Sequence, residues 1–459
     1  MQLGIKFYGG SRVDGQKRGK IKLTATVMLI CLLVWGSAGS CREAFAFVGD
    51  TEKAFGLNGS IRTLFFLLDR DEELPFSGEN NFDVLSQTIA RLTAAGKPSE
   101  FLSYEIHLVQ SLTLSTEKIA GGGLSGYDNA GTDHVYRYRM LDASWDVLEK
   151  DKSLATLAFD RFNTKTSFGW GDITVGRQAI TFGKTYFWNP LDVFYPLDAN
   201  QFDRDYKPGV DAVKVDIPLG LYSGLTFVGA AGPKVKLGTD TGVGNNPRDA
   251  SWYGSALMGR FFADAGGWDI SLQGGKVFGG WQVGAGIVGD IGPVQVRGEF
   301  AQFMALSSDP LPPPLQGDLG EDSFQAVIGL GHRFENSLSL DFEYFYNGAG
   351  DPDDLNAALV RMSYGSSLQM SRHLAGLAAR YEFSPLVVGE MGAIVSLSDG
   401  SCQLQPLVAV SLTNEMDLLV GATFNIGRQP ESYSGATADI KSEFGTYPTV
   451  FFAEWKYYF

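Results

Sequence analysis

The segment that decides the fold is the end of the chain, Phe451 to Phe459, with the sequence "FFAEWKYYF". Successive side chains of a β-strand point to opposite faces of the sheet, so alternate residues form two sets. One set contains only alanine and aromatic residues: Phe451, Ala453, Trp455, Tyr457 and Phe459. The other set holds both charges: Phe452, Glu454, Lys456 and Tyr458. Such a strand either buries its apolar face in a core or turns it to lipid, with the charges facing a wet interior.

The same alternation recurs earlier in the chain, in segments that pair into predicted hairpins. "LSLDFEYFY" (338–346) follows "AVIGLGHRF" (326–334), and the short connection "ENS" (335–337) joins them. Two strands separated by a few turn-forming residues are the pattern of a β-hairpin. Further alternating segments are 281–303, 377–397 and 418–426.

Composition and the connections between these segments favour a barrel over a soluble β-protein. The 459 residues include 57 Gly, 32 Phe, 18 Tyr and 8 Trp. Connections such as 307–322 and 427–448 are long and rich in Gly, Pro, Asp and Ser, whereas others are short turns. A soluble β-sandwich or solenoid is the alternative, but the face opposite the apolar one mixes Gly, Ser and Gln with scattered charges, which suits a wet interior. The sequence therefore predicts an all-β fold, a transmembrane antiparallel up-and-down β-barrel of roughly 16–20 strands.

The first 46 residues have the layout of a secretory signal peptide. Lysines and an arginine within 17–22 precede the apolar run "LTATVMLICLLVWGSAG" (23–39), and "AFA" (44–46) offers a cleavage site. A lipoprotein processed at Cys41 is the less favoured alternative, because Ala38 stands where a leucine is expected. We therefore predict a signal peptide in 1–46 and one barrel domain in 47–459.

Acidic residues dominate the predicted mature chain. The whole sequence has 37 Lys+Arg and 52 Asp+Glu, and residues 1–46 hold seven of the bases and two of the acids. Residues 47–459 therefore carry 37 − 7 = 30 bases and 52 − 2 = 50 acids, a net charge of −20. This charge excludes nucleic acid as a partner, which requires a basic surface, and it favours attraction of cations into a lumen. Cys402 is the one cysteine of this part of the sequence, so no intrachain disulfide can form.

The terminal aromatic strand resembles the C-terminal signature of bacterial outer-membrane proteins. In those proteins a final strand that ends on an aromatic residue, here Phe459, is recognised by the barrel-assembly machinery. The resemblance covers the last nine residues and implies an integral β-barrel of the Gram-negative outer membrane. Membrane lipid and lipopolysaccharide would contact its apolar outer face, and the sequence leaves open whether the barrel forms a homo-oligomer.

A second resemblance lies in residues 171–220. A strand ending in "GRQ" (176–178), a long aromatic loop and a returning strand "VDAVKVDI" (210–217) are similar to a recurring element of large porin-like families, including alginate-export-type barrels. We predict that loop 184–208 folds into the barrel, where opposed charges would orient a passing solute. The alternative is a solvated extracellular loop whose charges pair with one another. The charged residues predicted to shape this pore constriction are Arg177, Asp203, Arg204, Asp205, Lys207 and Asp211.

These features predict an outer-membrane channel, with passive passage of small polar solutes and a preference for cations as the leading hypothesis. The second hypothesis is a porin-like sleeve around multihaem c-type cytochromes, which would carry electrons across the membrane. The chain has no C-x-x-C-H motif, so the haems would belong to the partner. An enzyme is not predicted, because the four histidines form no HExxH motif and neither a nucleophile elbow nor a Walker-type loop is present. No cofactor or metal is predicted.

Overall fold

The computed structural model describes most of the predicted barrel domain. The described residues are 48–49, 53–69, 82–116, 137–194, 199, 206–234, 249–307, 321–363, 365–432 and 438–459. The predicted signal peptide, 1–46, lies outside them.

Nearly all of the regular structure is β-strand. The strands of the first part of the chain are β1 (Val48–Gly49), β2 (Gly56–Asp69), β3 (Phe82–Ser99), β4 (Leu102–Ser115), β5 (Ser144–Lys150), β6 (Ser153–Phe168) and β7 (Gly171–Gln178). Those of the middle part are β8 (Val210–Pro218), β9 (Ser223–Pro233), β10 (Ala250–Asp264), β11 (Trp268–Val277), β12 (Gly280–Ile291), β13 (Val294–Ala305), β14 (Ser323–Arg333) and β15 (Ser339–Asn347). Those of the last part are β16 (His373–Ser384), β17 (Val387–Ser396), β18 (Cys402–Thr413), β19 (Met416–Ile426), β20 (Glu431–Ser432), β21 (Ala438–Asp439) and β22 (Thr449–Tyr458).

Eighteen strands form one closed antiparallel barrel. Most wall strands pair with their neighbours in chain order, and β4 pairs directly with β6. The circle closes through β22, which pairs with both β19 and β2. β1 and β5 are additional strands beside the beginnings of β2 and β6. The predicted all-β barrel is confirmed, and its strand number lies within the predicted range.

The junction between β22 and β2, called the closing seam below, uses the last residue of the chain. Gly59 and Phe459 exchange two backbone hydrogen bonds, of 2.8 and 3.0 Å. A Cβ atom at Gly59 would lie 2.6 Å from a ring carbon of Phe459, so the aromatic ring lies directly over this glycine. Phe459 therefore contributes both its backbone and its ring to the junction between β22 and β2.

The two faces of the wall follow the alternation that the sequence predicts. In β15, the Phe342 side chain is 45% exposed on the outer face, whereas Glu343 and Phe345 on the inner face are fully buried. In β22, Phe451 lies on the outer face, and Glu454 is buried on the inner face. The wall thus has an apolar outer surface and an inner surface that includes charged side chains.

The connections differ in length between the two ends of the barrel. At the end called the short-turn end, the connections 169–170, 292–293 and 385–386 are two residues long. The opposite, long-loop end carries the connections 179–209, 306–322, 348–372 and 427–448.

One of the long connections contains a helix, α1 (Leu355–Ser363). The sequence analysis did not predict this helix. Asp354 accepts a hydrogen bond from the backbone N–H of Ala357 at 3.0 Å, which caps the first turn. A 3-10 helix, Phe444–Thr446, lies in another long connection. Among the described residues, no helix combines the length and apolar character needed to cross a bilayer.

Candidate functional site: a loop held inside the barrel

The chain leaves the wall after β7 and enters the interior of the barrel. Residues 179–194, called the inward loop below, hydrogen-bond to inner-face side chains of β11, β12, β13 and β15. The strands β8, β9 and β10 lie between β7 and this part of the wall, β11–β15, which we call the receiving wall. The loop therefore crosses the lumen instead of covering the rim above its own strands.

A buried carboxylate of β15 holds the middle of the inward loop. Both oxygens of Glu343 accept backbone N–H groups, from Tyr186 at 2.5 Å and from Phe187 at 2.8 Å. The Arg297 guanidinium lies 3.9 Å from the same carboxylate. Hydrogen bonds that a carboxylate accepts are stronger than those between neutral groups, so Glu343 is a firm attachment for the loop.

A second buried carboxylate, on β13, holds the two ends of the same stretch. Glu299 accepts the backbone N–H of Lys184 with one oxygen and that of Leu191, at 3.1 Å, with the other. Its side chain is fully buried. Residues 184–191 therefore form an arc whose two ends meet at one carboxylate.

Two glutamine side chains bind carbonyl groups of the arc. Gln273 of β11 donates to the carbonyl of Leu191 at 2.8 Å, and Gln282 of β12 donates to the carbonyl of Pro190 at 3.1 Å. Gln273 also donates to the side-chain oxygen of Gln282 at 3.2 Å. The receiving wall thus presents acceptors to the loop's N–H groups and donors to its carbonyls.

Apolar contacts complete the docking of the arc. The indole of Trp188 stacks on Phe345 of β15, with ring centroids 5.3 Å apart and an interplanar angle of 20°. Leu191 lies so close to Gly284 of β12 that a Cβ atom there would be 2.4 Å from it. Leu191 therefore fills a space beside Gly284, called the socket below, which exists because glycine has no Cβ atom.

Of the residues predicted to shape the constriction, Lys207 lies beside the inward loop. Its ammonium forms an ion pair with Asp192 at 2.5 Å, and its carbonyl accepts a hydrogen bond from Arg161 of β6 at 2.7 Å. Burial raises the pKa of the Asp192 carboxyl and lowers the pKa of the Lys207 ammonium, and each charge opposes the shift of the other. Asp203, Arg204 and Asp205 lie outside the described residues, so their predicted role stays a prediction.

Arg177 and Asp211 form an ion pair between two neighbouring strands of the wall and do not face the lumen. They are opposite each other in the pairing of β7 with β8, and the guanidinium binds the carboxylate at 2.7 Å. By alternation they share the outer face with Val175 and Val213, which are exposed there. The guanidinium also donates to the carbonyl of Leu141 at 2.6 Å, which covers the pair. The spacing in the sequence did not reveal that this face is covered by another segment.

A second cluster of charged groups surrounds Tyr206, near the wall formed by β3, β4 and β6. The guanidinium of Arg91 lies 3.2 Å from the centroid of the tyrosine ring, and that of Arg161 lies 4.5 Å from it. The tyrosine hydroxyl donates to Asp160 at 2.5 Å and is 3.0 Å from a ring nitrogen of His107. Burial and the Asp160 charge raise the pKa of Tyr206, so its hydroxyl remains protonated and can donate.

Many charges of the barrel interior are matched by an opposite charge. These ion pairs are Arg62–Glu454, Arg139–Asp160, Arg161–Glu105, Arg297–Asp341 and Lys207–Asp192. Such pairs present a polar surface with alternating sign and little net charge. In the described parts of the chain, no three His, Cys, Asp or Glu side chains are placed to hold a metal ion.

The chain matches no model of a known protein family, and no curated protein matches it in sequence. Solved structures are similar in fold. OccAB2 of Acinetobacter baumannii has a TM-score of 0.54 at 8% identity, over 90% of this chain and 99% of that one. A BenF-like porin from Pseudomonas fluorescens Pf-5 has a TM-score of 0.50 at 8% identity, over 89% and 99%. The fold is that of a porin-like barrel. OpdL of Pseudomonas aeruginosa, with a TM-score of 0.51 at 9% identity over 88% and 98%, has the same fold.

The sequence analysis did not single out the carboxylates that hold the inward loop. Alternation along β13 and β15 puts Glu299 and Glu343 on the inner face, where the structure has them, but it assigns them no partner. The local signal is weak: each is an inner-face acid beside an outer-face aromatic residue, in "GEF" (298–300) and "FEY" (342–344), and Glu454 in "AEW" (453–455) follows the same pattern. Their partners are backbone groups of a distant loop, which carry no sequence signature.

Proposed function

We propose that the protein is a channel of the Gram-negative outer membrane through which small polar solutes pass by diffusion. The observation that carries this proposal is the inward loop, which is fixed across the lumen of an eighteen-stranded barrel. Barrels of 16–18 strands leave an aqueous channel, and a loop across it limits the size of the solutes that pass. The apolar outer surface supports insertion in a membrane, and the fold shared with a BenF-like porin supports transport over catalysis.

We also propose that the channel prefers cations. Residues 47–459 carry a net charge of −20, from 30 bases and 50 acids. Ion pairs match many charges of the interior, so the excess acids act mainly at the mouth, where a negative potential concentrates cations. Acidic residues of the long-loop end include Glu321, Asp322, Asp351, Asp353 and Asp354.

Recordings in planar lipid bilayers test both parts of this proposal. The purified protein should form open channels, and its reversal potential in a KCl gradient should report a preference for potassium. The double variant Asp203→Asn and Asp205→Asn should shift the reversal potential towards zero if those carboxylates line the constriction, and Asp353→Asn and Asp354→Asn should reduce the preference through the mouth. Absence of conductance would overturn the proposed diffusion of solutes, and a reversal potential that reports anion selectivity would overturn the cation preference.

The sleeve around a multihaem cytochrome receives less support from this geometry. A sleeve needs a lumen wide enough for a folded protein, whereas Glu299 and Glu343 hold the inward loop inside it. A gently purified preparation should therefore show no haem Soret band. A stoichiometric Soret band that purifies with the barrel would favour the electron conduit instead.

A further inference from the structure

We infer that Glu299 and Glu343 are positioning residues that set the open cross-section of the channel by fixing residues 184–191 as a rigid arc. This inference rests on the proposed channel function and adds to it which wall residues determine the size limit. Neither carboxylate would act on a solute directly.

The first argument is that every oxygen of the two carboxylates accepts a backbone N–H of the loop. The two oxygens of Glu343 accept N–H groups from consecutive residues, Tyr186 and Phe187. The two oxygens of Glu299 accept N–H groups from Lys184 and Leu191. Both side chains have no exposed surface, so a solute in the lumen meets the loop and not the carboxylates.

The second argument is that the attachment defines a single shape. A loop held at one point can swing, whereas this arc is held at both ends by Glu299 and at its middle by Glu343. The socket at Gly284 and the stack of Trp188 on Phe345 fit the same position of the arc. Polar and apolar contacts therefore hold the arc in the same position, as a constriction of defined size requires.

The third argument concerns the chemistry of the two carboxylates. A carboxylate has two acceptor oxygens, while the amide of glutamine has one acceptor and one donor group. Glutamine at either position would place an NH2 group against a backbone N–H, so one attachment would be lost and one contact would become repulsive. Aspartate would keep the charge but would be too short by one methylene to reach the loop.

Substitution of Glu343 can distinguish a residue that positions the loop from one that lines the pore and acts on solutes through its charge. In bilayer recordings, Glu343→Gln and Glu343→Asp should both release the middle of the arc, and each should raise single-channel conductance about twofold or more and increase current noise. If the carboxylate instead acted on solutes by its charge, Glu343→Asp would behave as the parent protein and only Glu343→Gln would change the reversal potential. That second pattern would overturn the inference.

A matched control is available on the inner face of β17. Glu390 pairs with Arg380 at 3.5 Å, is partly exposed and has no contact with the inward loop in the described structure. Glu390→Gln removes a lumenal carboxylate without touching the arc, so its conductance should equal that of the parent protein. An increase as large as that of Glu343→Gln would also contradict the inference.

Limited proteolysis tests the position of the arc even if the channel proposal fails. The Lys184 side chain is 13% exposed, so trypsin should cleave slowly after it in the folded barrel. Glu299→Gln and Glu343→Gln should accelerate cleavage after Lys184 at least about tenfold, because local opening controls access. Leu191→Ala changes the loop and leaves the wall intact, so it should accelerate cleavage even where a glutamate variant does not fold. Unchanged cleavage in folded variants would overturn the inference. Accelerated cleavage in a non-conducting protein would support the positioning of the arc by the two glutamates while refuting the channel whose cross-section the arc would set.

Discussion

The closing seam and the receiving wall both bury glutamates on the inner face of the barrel, but the two sites bind different partners. At the seam, Glu454 of β22 is bound by the guanidinium of Arg62 from β2, at 2.5 Å. In the receiving wall, Glu343 is bound by backbone N–H groups of the inward loop. The first contact joins two strands of the wall, and the second joins the wall to a loop.

This difference indicates that one type of residue serves the stability of the wall at one place and the position of a loop at another. Loss of a strand-to-strand ion pair affects the free energy of the whole barrel, because both partners belong to the closed wall. Loss of a wall-to-loop contact leaves the hydrogen-bonded wall intact and affects the position of the loop. The two regions should therefore respond to substitution in different measurements.

The largest expected effect is at the closing seam. Glu454→Ala leaves the buried guanidinium of Arg62 without this partner, and breaking a buried ion pair in this way costs about 3–5 kcal/mol. The loss should appear as a lower urea midpoint for unfolding of the barrel in detergent micelles. Single-channel conductance of the folded fraction should remain that of the parent protein.

The double variant Arg62→Leu and Glu454→Leu is the control for that substitution. It removes both charges and replaces them with apolar groups, so part of the lost stability should return; Lys456, whose ammonium lies 3.8 Å from Glu454, loses this carboxylate in both variants. A single variant that unfolds at the parent's urea concentration would show that the seam does not depend on this pair.

An intermediate effect is expected in the apolar part of the receiving wall. Trp188→Ala removes a fully buried indole from the arc, which should weaken docking of the loop by about 1.5–3 kcal/mol. The urea midpoint of the barrel should change little, while cleavage by trypsin after Lys184 should accelerate. Trp170→Ala, at an exposed tryptophan of the short-turn end, is the matched control and should leave cleavage unchanged. If Trp188→Ala lowered the barrel midpoint as much as Glu454→Ala, the separation between the two regions would fail.

The alternation of side chains was sufficient to predict the wall. Strands such as β15 and β22 must turn one face outwards and one inwards, and the period of two is visible in the sequence because every second residue shares an environment. The segment "GRQ" (176–178) was correctly placed at the end of a strand. α1 was not predicted, although Asp354 offers a cap and Leu355, Ala358, Leu359 and Met362 recur at helical spacing.

The site was predicted less well than the wall, for a physical reason. The polar contacts that hold the inward loop against the receiving wall join residues 82 to 157 positions apart, from Leu191 with Gln273 to Tyr186 with Glu343, and the loop contributes backbone groups that carry no sequence signature. Alternation puts Arg177 and Asp211 on the outer face of β7 and β8, but it cannot reveal that the segment around Leu141 binds the pair there. The role of Lys207 and its neighbours in a constriction stays a prediction that the bilayer recordings will test.

The smallest expected effect concerns a single neutral hydrogen bond to the arc. Gln282→Ala removes the donor to the Pro190 carbonyl, which should weaken docking by about 1 kcal/mol, or about fivefold in the population of undocked loop. Cleavage after Lys184 should rise by that factor, while conductance in its main state should be unchanged, because the arc stays docked most of the time. Gln295→Ala, at an exposed glutamine of the short-turn end, should change neither. An effect of Gln282→Ala as large as that of Trp188→Ala would mean that the glutamine hydrogen bonds hold the loop against the receiving wall as strongly as the stack of Trp188 on Phe345 does.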